Sequence, residues 1–475
     1  PSPNPRLEMG DCLRPPLLFL IALCYGEGFI DCSSVRRMCG TSVIRGRSTM
    51  NSSSSPPRAS YWGALRLPLY RSLWISAFVS NLGTWLERVA VGVYVAESTG
   101  RSGWSGLAAA ALFLPSLVMA PVGGALSDRF DRRSYLLTIV WVQILVSALL
   151  TLLAFRGQLS MPVLLMLLVG IGCSATMMWP AFNAMLTEQV PEGVVRSAIV
   201  LHSGQFNLAR MVGPAIGAAV IAVGGVPWAF AINTLSFLAI LPVVMGLERQ
   251  PPESSGSEPL WVQIRQGIDA VRAEPGIRTS LTLSMSSSFL VAPFMGLVPI
   301  FVIRDLHSDA AGVSLLMTVQ GLGAVVAAAA STACMEIFGA RRWIAGAAIS
   351  LVISDALFWL MPTVSTAAMM MTLLGAAYLA MMSGGKSVSL SRAPRSVRGR
   401  VASLYTAGVD GSYGLGVAVI GGLGDLIGVR AASLIGTAAF ATIVLTWGRR
   451  GGVLLPELKE TPEPTRRTPT AEVEP

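Results

Sequence analysis

The chain has 475 residues, of which 53% are hydrophobic and only 13% charged, with a mean hydropathy of +0.62. Soluble domains carry about 25% charged residues, so composition alone implies a multi-span membrane protein. The formal charge of +9 does not point to nucleic acid, because the arginines gather in short connections between apolar runs, where they set orientation.

Residues 1–60 differ in character from the rest of the chain. They are rich in Pro, Ser, Cys and Arg, and their one apolar run, Leu17 to Cys24, is too short to span a bilayer. They are expected to be a disordered or spurious tail, with translation starting at Met50. Cys12, Cys24, Cys32 and Cys39 lack the spacing of a metal site, and Cys173 and Cys334 lie inside apolar runs as small packing residues.

From residue 72 the apolar runs have the length of membrane helices rather than the short alternation of barrel strands. Twelve spans are expected, at 72–96, 104–126, 134–155, 161–184, 198–223, 226–247, 279–303, 310–335, 343–361, 364–385, 401–424 and 429–447. The longest connection, 248–278, opens on the flexible stretch Pro251 to Ser257. It continues over 260–272 with apolar residues at helical spacing, which predicts an amphipathic helix on the membrane surface. The connection separates an N-terminal six-helix bundle (61–247) from a C-terminal one (279–448), and 449–475 reads as a disordered cytoplasmic tail. Arg196 precedes span 5 as Arg400 precedes span 11, which suggests two parallel repeats. With both termini in the cytoplasm, the inside connections carry fourteen arginines, and only Arg101, Arg156, Arg304 and Arg430 lie outside. The positive-inside rule assigns that orientation.

Between spans 2 and 3 stands Gly123-Gly124-Ala125-Leu126-Ser127-Asp128-Arg129-Phe130-Asp131-Arg132-Arg133. Its charges cannot lie in hydrocarbon, so it reads as a hairpin at a membrane face. The glycines would let span 2 approach a neighbour closely, and Asp128 would sit where a carboxylate caps a helix. The string resembles the signature loop between helices 2 and 3 of the major facilitator superfamily. It departs at Asp131, where most members carry Gly. The resemblance implies a gating motif formed by Gly124, Asp128, Arg129, Arg132 and Arg133.

Span 5 holds a second signal in Asn207-Leu208-Ala209-Arg210-Met211-Val212-Gly213-Pro214-Ala215-Ile216-Gly217-Ala218. Pro214 removes a backbone hydrogen bond, while Gly213 and Gly217 permit close helix contact. The stretch resembles the Gly-Pro-x-x-Gly motif of facilitator antiporters that export compounds, although Ala209 and Ala218 replace glycines of the fuller pattern. Arg210 inside a span is costly and is expected to face a polar cavity or a carboxylate. Together with Val79-Ser80-Asn81-Leu82-Gly83-Thr84-Trp85, Asn233-Thr234-Leu235-Ser236-Phe237 and Val397-Arg398-Gly399-Arg400-Val401, these motifs resemble the bacterial transmembrane secretion effector branch. That branch contains enterobactin-exporter-like and macrolide-efflux-like proteins. The resemblance covers 66–447 and implies an all-α major facilitator fold. It further implies a monomeric, proton-driven exporter of a small organic molecule, embedded in the bilayer of the bacterial cytoplasmic membrane.

Candidate proton or substrate sites are the intramembrane polar residues Asn81, Glu87, Arg88, Asn183, Asp355, Asp410 and Tyr413. Glu87 and Arg88 are adjacent, so they point about 100° apart and each needs a partner elsewhere. Glu87 is the expected proton exchanger. No enzyme, cofactor or metal is expected, since HExxH and clustered Cys or His are absent. Gly385-Lys386-Ser387 ends a membrane span rather than a strand and does not make a phosphate loop. An importer of a nutrient or lipid fragment, and a membrane sensor or assembly protein without transport, are the alternatives.

Overall fold

A computed structural model describes residues 63–247, 249 and 260–449. The expected tail with Met50, the Pro251 to Ser257 linker and residues 450–475 lie outside the described residues. Among the described residues every regular element is helical. In chain order they are α1 (Pro68–Thr99), α2 (Ser102–Phe113), α3 (Ser116–Arg129), α4 (Arg132–Phe155), α5 (Met161–Glu188), α6 (Val195–Gly224), α7 (Val226–Leu238) and α8 (Leu241–Met245). Next come α9 (Leu260–Ala273), α10 (Pro275–Leu290), α11 (Phe294–Ile300), α12 (Ala310–Phe338), α13 (Ala340–Leu360), α14 (Val364–Arg392), α15 (Arg398–Ile427) and α16 (Val429–Arg449).

Among the described residues ten helical segments are long and apolar enough to cross a membrane. Helices α1 and α15, with 32 and 30 residues, match them in length. What sets these two apart is charge: α1 carries Arg71, Glu87, Arg88 and Glu97, and α15 carries Arg398, Arg400, Asp410 and Asp425. They fall on the runs expected as spans 1 and 11.

Proline divides three runs that hydropathy reads as continuous. Pro115 separates α2 from α3, Pro242 lies at the start of α8, and Pro293 separates α10 from α11, because a residue without an N–H breaks the ladder. Beyond α11 the chain makes a π-helical turn over Phe301–Asp305. Helix α14 runs on to Arg392, past the expected end at 385, so Lys386 stands within a helix.

Local chemistry explains several boundaries. Asp131 caps α4, accepting from Ser134 N at 2.9 Å and Ser134 Oγ at 2.7 Å. Asp309 caps α12 through Ala311 N and Gly312 N at 3.1 and 3.2 Å. Gly100 ends α1 with φ of 61°, a left-handed conformation that suits glycine. The predicted amphipathic helix forms as α9, with Trp261 exposed. It also packs against α15, where Ala270 and Val271 rest on Ile277, Ala393 and Val401.

In the N-terminal half α1 packs on α6 and α7, and α4 on α5 and α7; in the C-terminal half α14 packs on α12 and α13, and α10 on α14 and α15. Two seams join the halves, α2 with α15 and α6 with α12. Outward-facing Leu145, Val223 and Leu426 are largely exposed, which costs nothing against lipid tails.

Candidate functional site

Between the two seams lie most of the candidate polar residues. A chamber of about 540 Å³ is bordered by Thr84, Glu87, Arg88, Ser116, Trp179, Phe206, Lys386, Thr406 and Asp410. A second, of about 590 Å³, shares Trp179, Phe206, Lys386, Thr406 and Asp410 and adds Asn183, His202, Asn207, Arg210 and Tyr405. The shared wall residues make them neighbours. Asn183, Leu186 and Ile199 flank the α5–α6 connection, while Lys386, Ala402 and Ser403 flank the α14–α15 connection. Both chambers therefore lie toward the face that carries the arginine-rich connections.

Toward the opposite face the space narrows to a pocket of about 110 Å³ lined from both halves, by Trp85, Arg88, Phe113, Arg210 and Pro214 and by Met295, Met317, Gln320, Met371 and Tyr413. Its far end is closed by contact. The Asp425 carboxylate near the end of α15 accepts from Arg101 Nε at 3.2 Å, Ser102 Oγ at 3.0 Å and Gly103 N at 3.1 Å. Arg304 donates to the Gly100 carbonyl at 3.3 Å. Close approach of α2 and α15 depends on glycine: a Cβ at Gly106 would meet the Val417 carbonyl, and one at Gly421 the Ser102 carbonyl.

Glu87 is buried on α1 and accepts a short hydrogen bond from Asn233 Nδ2 on α7, which also holds Ser236. Arg88, one residue on, points instead across the Trp85 ring, its guanidinium carbon 4.3 Å from the ring centre and 5.3 Å from that of Phe113. Arg210 approaches the same indole from α6 at 5.5 Å. Phe113 meets Tyr413 edge-on at 4.8 Å. Cation–π contact of this kind contributes about 0.5–2 kcal/mol and leaves the N–H groups available.

Gly213 lies against Trp85 and the Leu82 carbonyl, and Gly217 against Leu86, so the Gly-Pro motif is the surface on which α6 packs α1. Asn81 donates to Gln205 at 3.2 Å, and neither residue lines the chambers or the pocket. Asn183 and Asp410 line chamber walls, and Tyr413 lines the pocket. Asp355 is elsewhere: it is buried between α13 and α16, accepting from Thr437 Oγ1 and from Trp359 Nε1 at 3.2 Å. It borders none of these three spaces.

In the hairpin motif Gly123 touches Met177, but nothing lies within 4 Å of where a Gly124 side chain would stand. Close helix approach therefore belongs to Gly123, correcting the expectation for Gly124. The side chains of Asp128 and Arg129 lie outside the described residues. Arg132 and Arg133 begin α4.

Sequence reading missed Lys386, His202, Gln320 and Asp425 as residues of the site or its closure. Lys386 and Asp425 each stand just beyond an apolar run, a position that reads as a helix end.

Comparison with known proteins gives this geometry a family. The model of the transmembrane secretion effector family matches residues 59–474. The chain is 25% identical over 375 residues to the enterobactin exporter EntS of Shigella flexneri, covering 76% of this chain and 86% of that one. It is 28% identical over 226 residues to the uncharacterized MFS-type transporter YfiS of Bacillus subtilis, covering 45% of this chain and 53% of that protein. With the staphyloferrin A transporter of Staphylococcus aureus it shares 22% identity, over 53% of this chain and 64% of the relative. The chain thus spans about half to two thirds of the length of the last two relatives. Among solved structures, the nucleoside transporter NupG matches with a TM-score of 0.64 at 12% identity, covering 80% of this chain and 98% of that one. A D-xylose-proton symporter matches with a TM-score of 0.63 at 16% identity, covering 82% and 98%. These two likenesses support the fold. The chain belongs to the transmembrane secretion effector family and has the helical fold of major facilitator transporters.

Proposed function

We propose that the protein is a proton-coupled exporter of a small organic compound, siderophore-like or drug-like, in the bacterial cytoplasmic membrane. It works by alternating access of two six-helix bundles, with α1 and α15 completing twelve spans, both termini in the cytoplasm and a monomer as the working unit. The observation that carries this reading is the pair of neighbouring chambers: Glu87 and Arg88 border the first, Arg210 the second, and Lys386 and Asp410 both, so that charges from both halves come together. Ionisable groups at this depth are costly and are retained for function. The arginine distribution makes the open end cytoplasmic and the Asp425 end external. The relatives that bear the names of enterobactin exporter and staphyloferrin A transporter support a small organic cargo.

In this reading Glu87 exchanges the driving proton, because a carboxylate bordering a wet chamber can both release and recapture one. Asp128 with the hairpin arginines holds the cytoplasmic gate, and Asp425 the external one. Inside-out vesicles loaded with a pH dye and offered a substrate panel test the function. Proton movement that starts on addition of a compound, and requires the protein, is expected. Compound uptake without proton movement refutes the coupling. Asp425→Ala should raise labelling of Ser105→Cys by an external membrane-impermeant maleimide several-fold, and unchanged labelling would remove Asp425 from the external gate.

A further inference from the structure

The transport reading leaves open what the cargo must carry, and the two core arginines bear on this. Arg88 and Arg210 stand where the spaces meet. Arg88 borders the 540 Å³ chamber and the 110 Å³ pocket, and Arg210 borders the 590 Å³ chamber and the same pocket. Their guanidinium groups share one indole, that of Trp85. Among the described residues neither makes an ion pair with a carboxylate within 4.0 Å. Arg210 Nε is buried without a hydrogen-bond partner, and so is Nε2 of Gln320, which lines the pocket from α12.

The acids nearby relieve this only in part. Glu87 and Asp410 attract Arg88 electrostatically, but Glu87 is hydrogen-bonded to Asn233 and neither acid forms an ion pair with Arg88 or Arg210 within 4.0 Å among the described residues. Two like charges held near one ring repel each other, and buried donors without acceptors are costly. An oxyanion between the two guanidiniums would relieve both costs at once, since the planar fork of arginine matches a carboxylate. Around that point the walls are flat and apolar: Trp85, Phe113, Trp179 and Phe206.

We infer that the cargo is an organic anion, whose carboxylate or similar oxyanion lies between Arg88 and Arg210 while a flat apolar body rests in the adjoining chamber. This rests on the transport reading for calling the ligand cargo. The site itself rests on geometry. An acidic cargo also adds to the driving force of export, because an anion leaving a negative interior moves with the membrane potential.

The test uses the purified full chain in nanodiscs and three matched probes: 2-naphthoate, its neutral amide, and 2-naphthylmethylamine. Ligand binding to the folded state raises the unfolding temperature. The expected result is stabilisation by naphthoate with at least a tenfold lower apparent Kd than for the amide, and none by the amine. Arg210→Gln is expected to abolish that preference, and Arg210→Lys to retain it with weaker affinity. Should Arg210→Gln not fold, Arg88→Gln serves the same purpose from the other helix. Equal stabilisation by amide or amine, absence of any naphthoate effect, or a preference that survives loss of either guanidinium overturns the inference. Stabilisation by inorganic phosphate equal to that by naphthoate overturns the organic body. Anion preference in this assay without transport in the vesicle assay would sink the transporter reading and leave the site standing.

Discussion

Glu87 and Asp355 are matched in almost every respect. Each is a carboxyl on a long helix, 4% and 1% exposed, and each accepts a short hydrogen bond from a packed neighbouring helix, from Asn233 and Thr437. Neither has an arginine or lysine within 4.0 Å among the described residues. The difference lies on the remaining side. Glu87 borders a 540 Å³ chamber, whereas Asp355 is covered by Trp359, whose Nε1 donates to it at 3.2 Å. Burial and hydrogen bonding therefore do not distinguish the two carboxyls; the bordering chamber does.

Substitutions can break that contrast. Glu87→Gln keeps size and hydrogen bonding but cannot titrate. Uphill export is expected to fall to the passive leak, with cargo binding retained, as read by vesicle flux and by thermal stabilisation. Intact uphill export would shift the proton role to Asp410. Asn233→Ala releases the anchor of Glu87, and a several-fold loss of export at normal membrane insertion is expected; export at the wild-type rate would show that the anchor is dispensable. Asp355→Leu strands the Trp359 N–H, while the Thr437 hydroxyl can still donate to the Ser433 carbonyl at 3.0 Å, so stability should drop by about 1–3 kcal/mol. Export per folded molecule should stay near wild type, and a large loss of export would make the two carboxyls functionally alike. Thr437→Ala, the mildest change, should lower the unfolding temperature by an amount equivalent to about 1 kcal/mol and leave export unaltered.

Much of the scaffold was legible because a membrane helix is written as length and apolarity. The runs expected at 134–155, 161–184 and 310–335 reappear as Arg132–Phe155, Met161–Glu188 and Ala310–Phe338. The breaks at Pro115 and Pro293 were harder to see, since proline within a long apolar run can be tolerated or disruptive and neighbouring helices decide which. Glu87, Arg88 and Arg210 stood out as charges in hydrocarbon. What each one meets was not visible, because Asn233 is 146 positions from Glu87 and Trp85 is shared by arginines on two helices. The separation of Asp355 from the chambers was invisible for the same reason: on its own helix it resembles Glu87. Asp425 escaped notice as an ordinary polar residue at a helix end, and only the folded seam brings Arg101, Ser102 and Gly103 to it.

The most direct measurement compares proton movement, by an entrapped pH dye in inside-out vesicles, for wild type, Glu87→Gln and Asp355→Asn under the same cargo gradient. Asp355→Asn should move protons at a rate near wild type, and Glu87→Gln should move none above the leak. Proton movement that survives in Glu87→Gln and vanishes in Asp355→Asn would contradict the assignment of coupling to the carboxylate that borders the chamber.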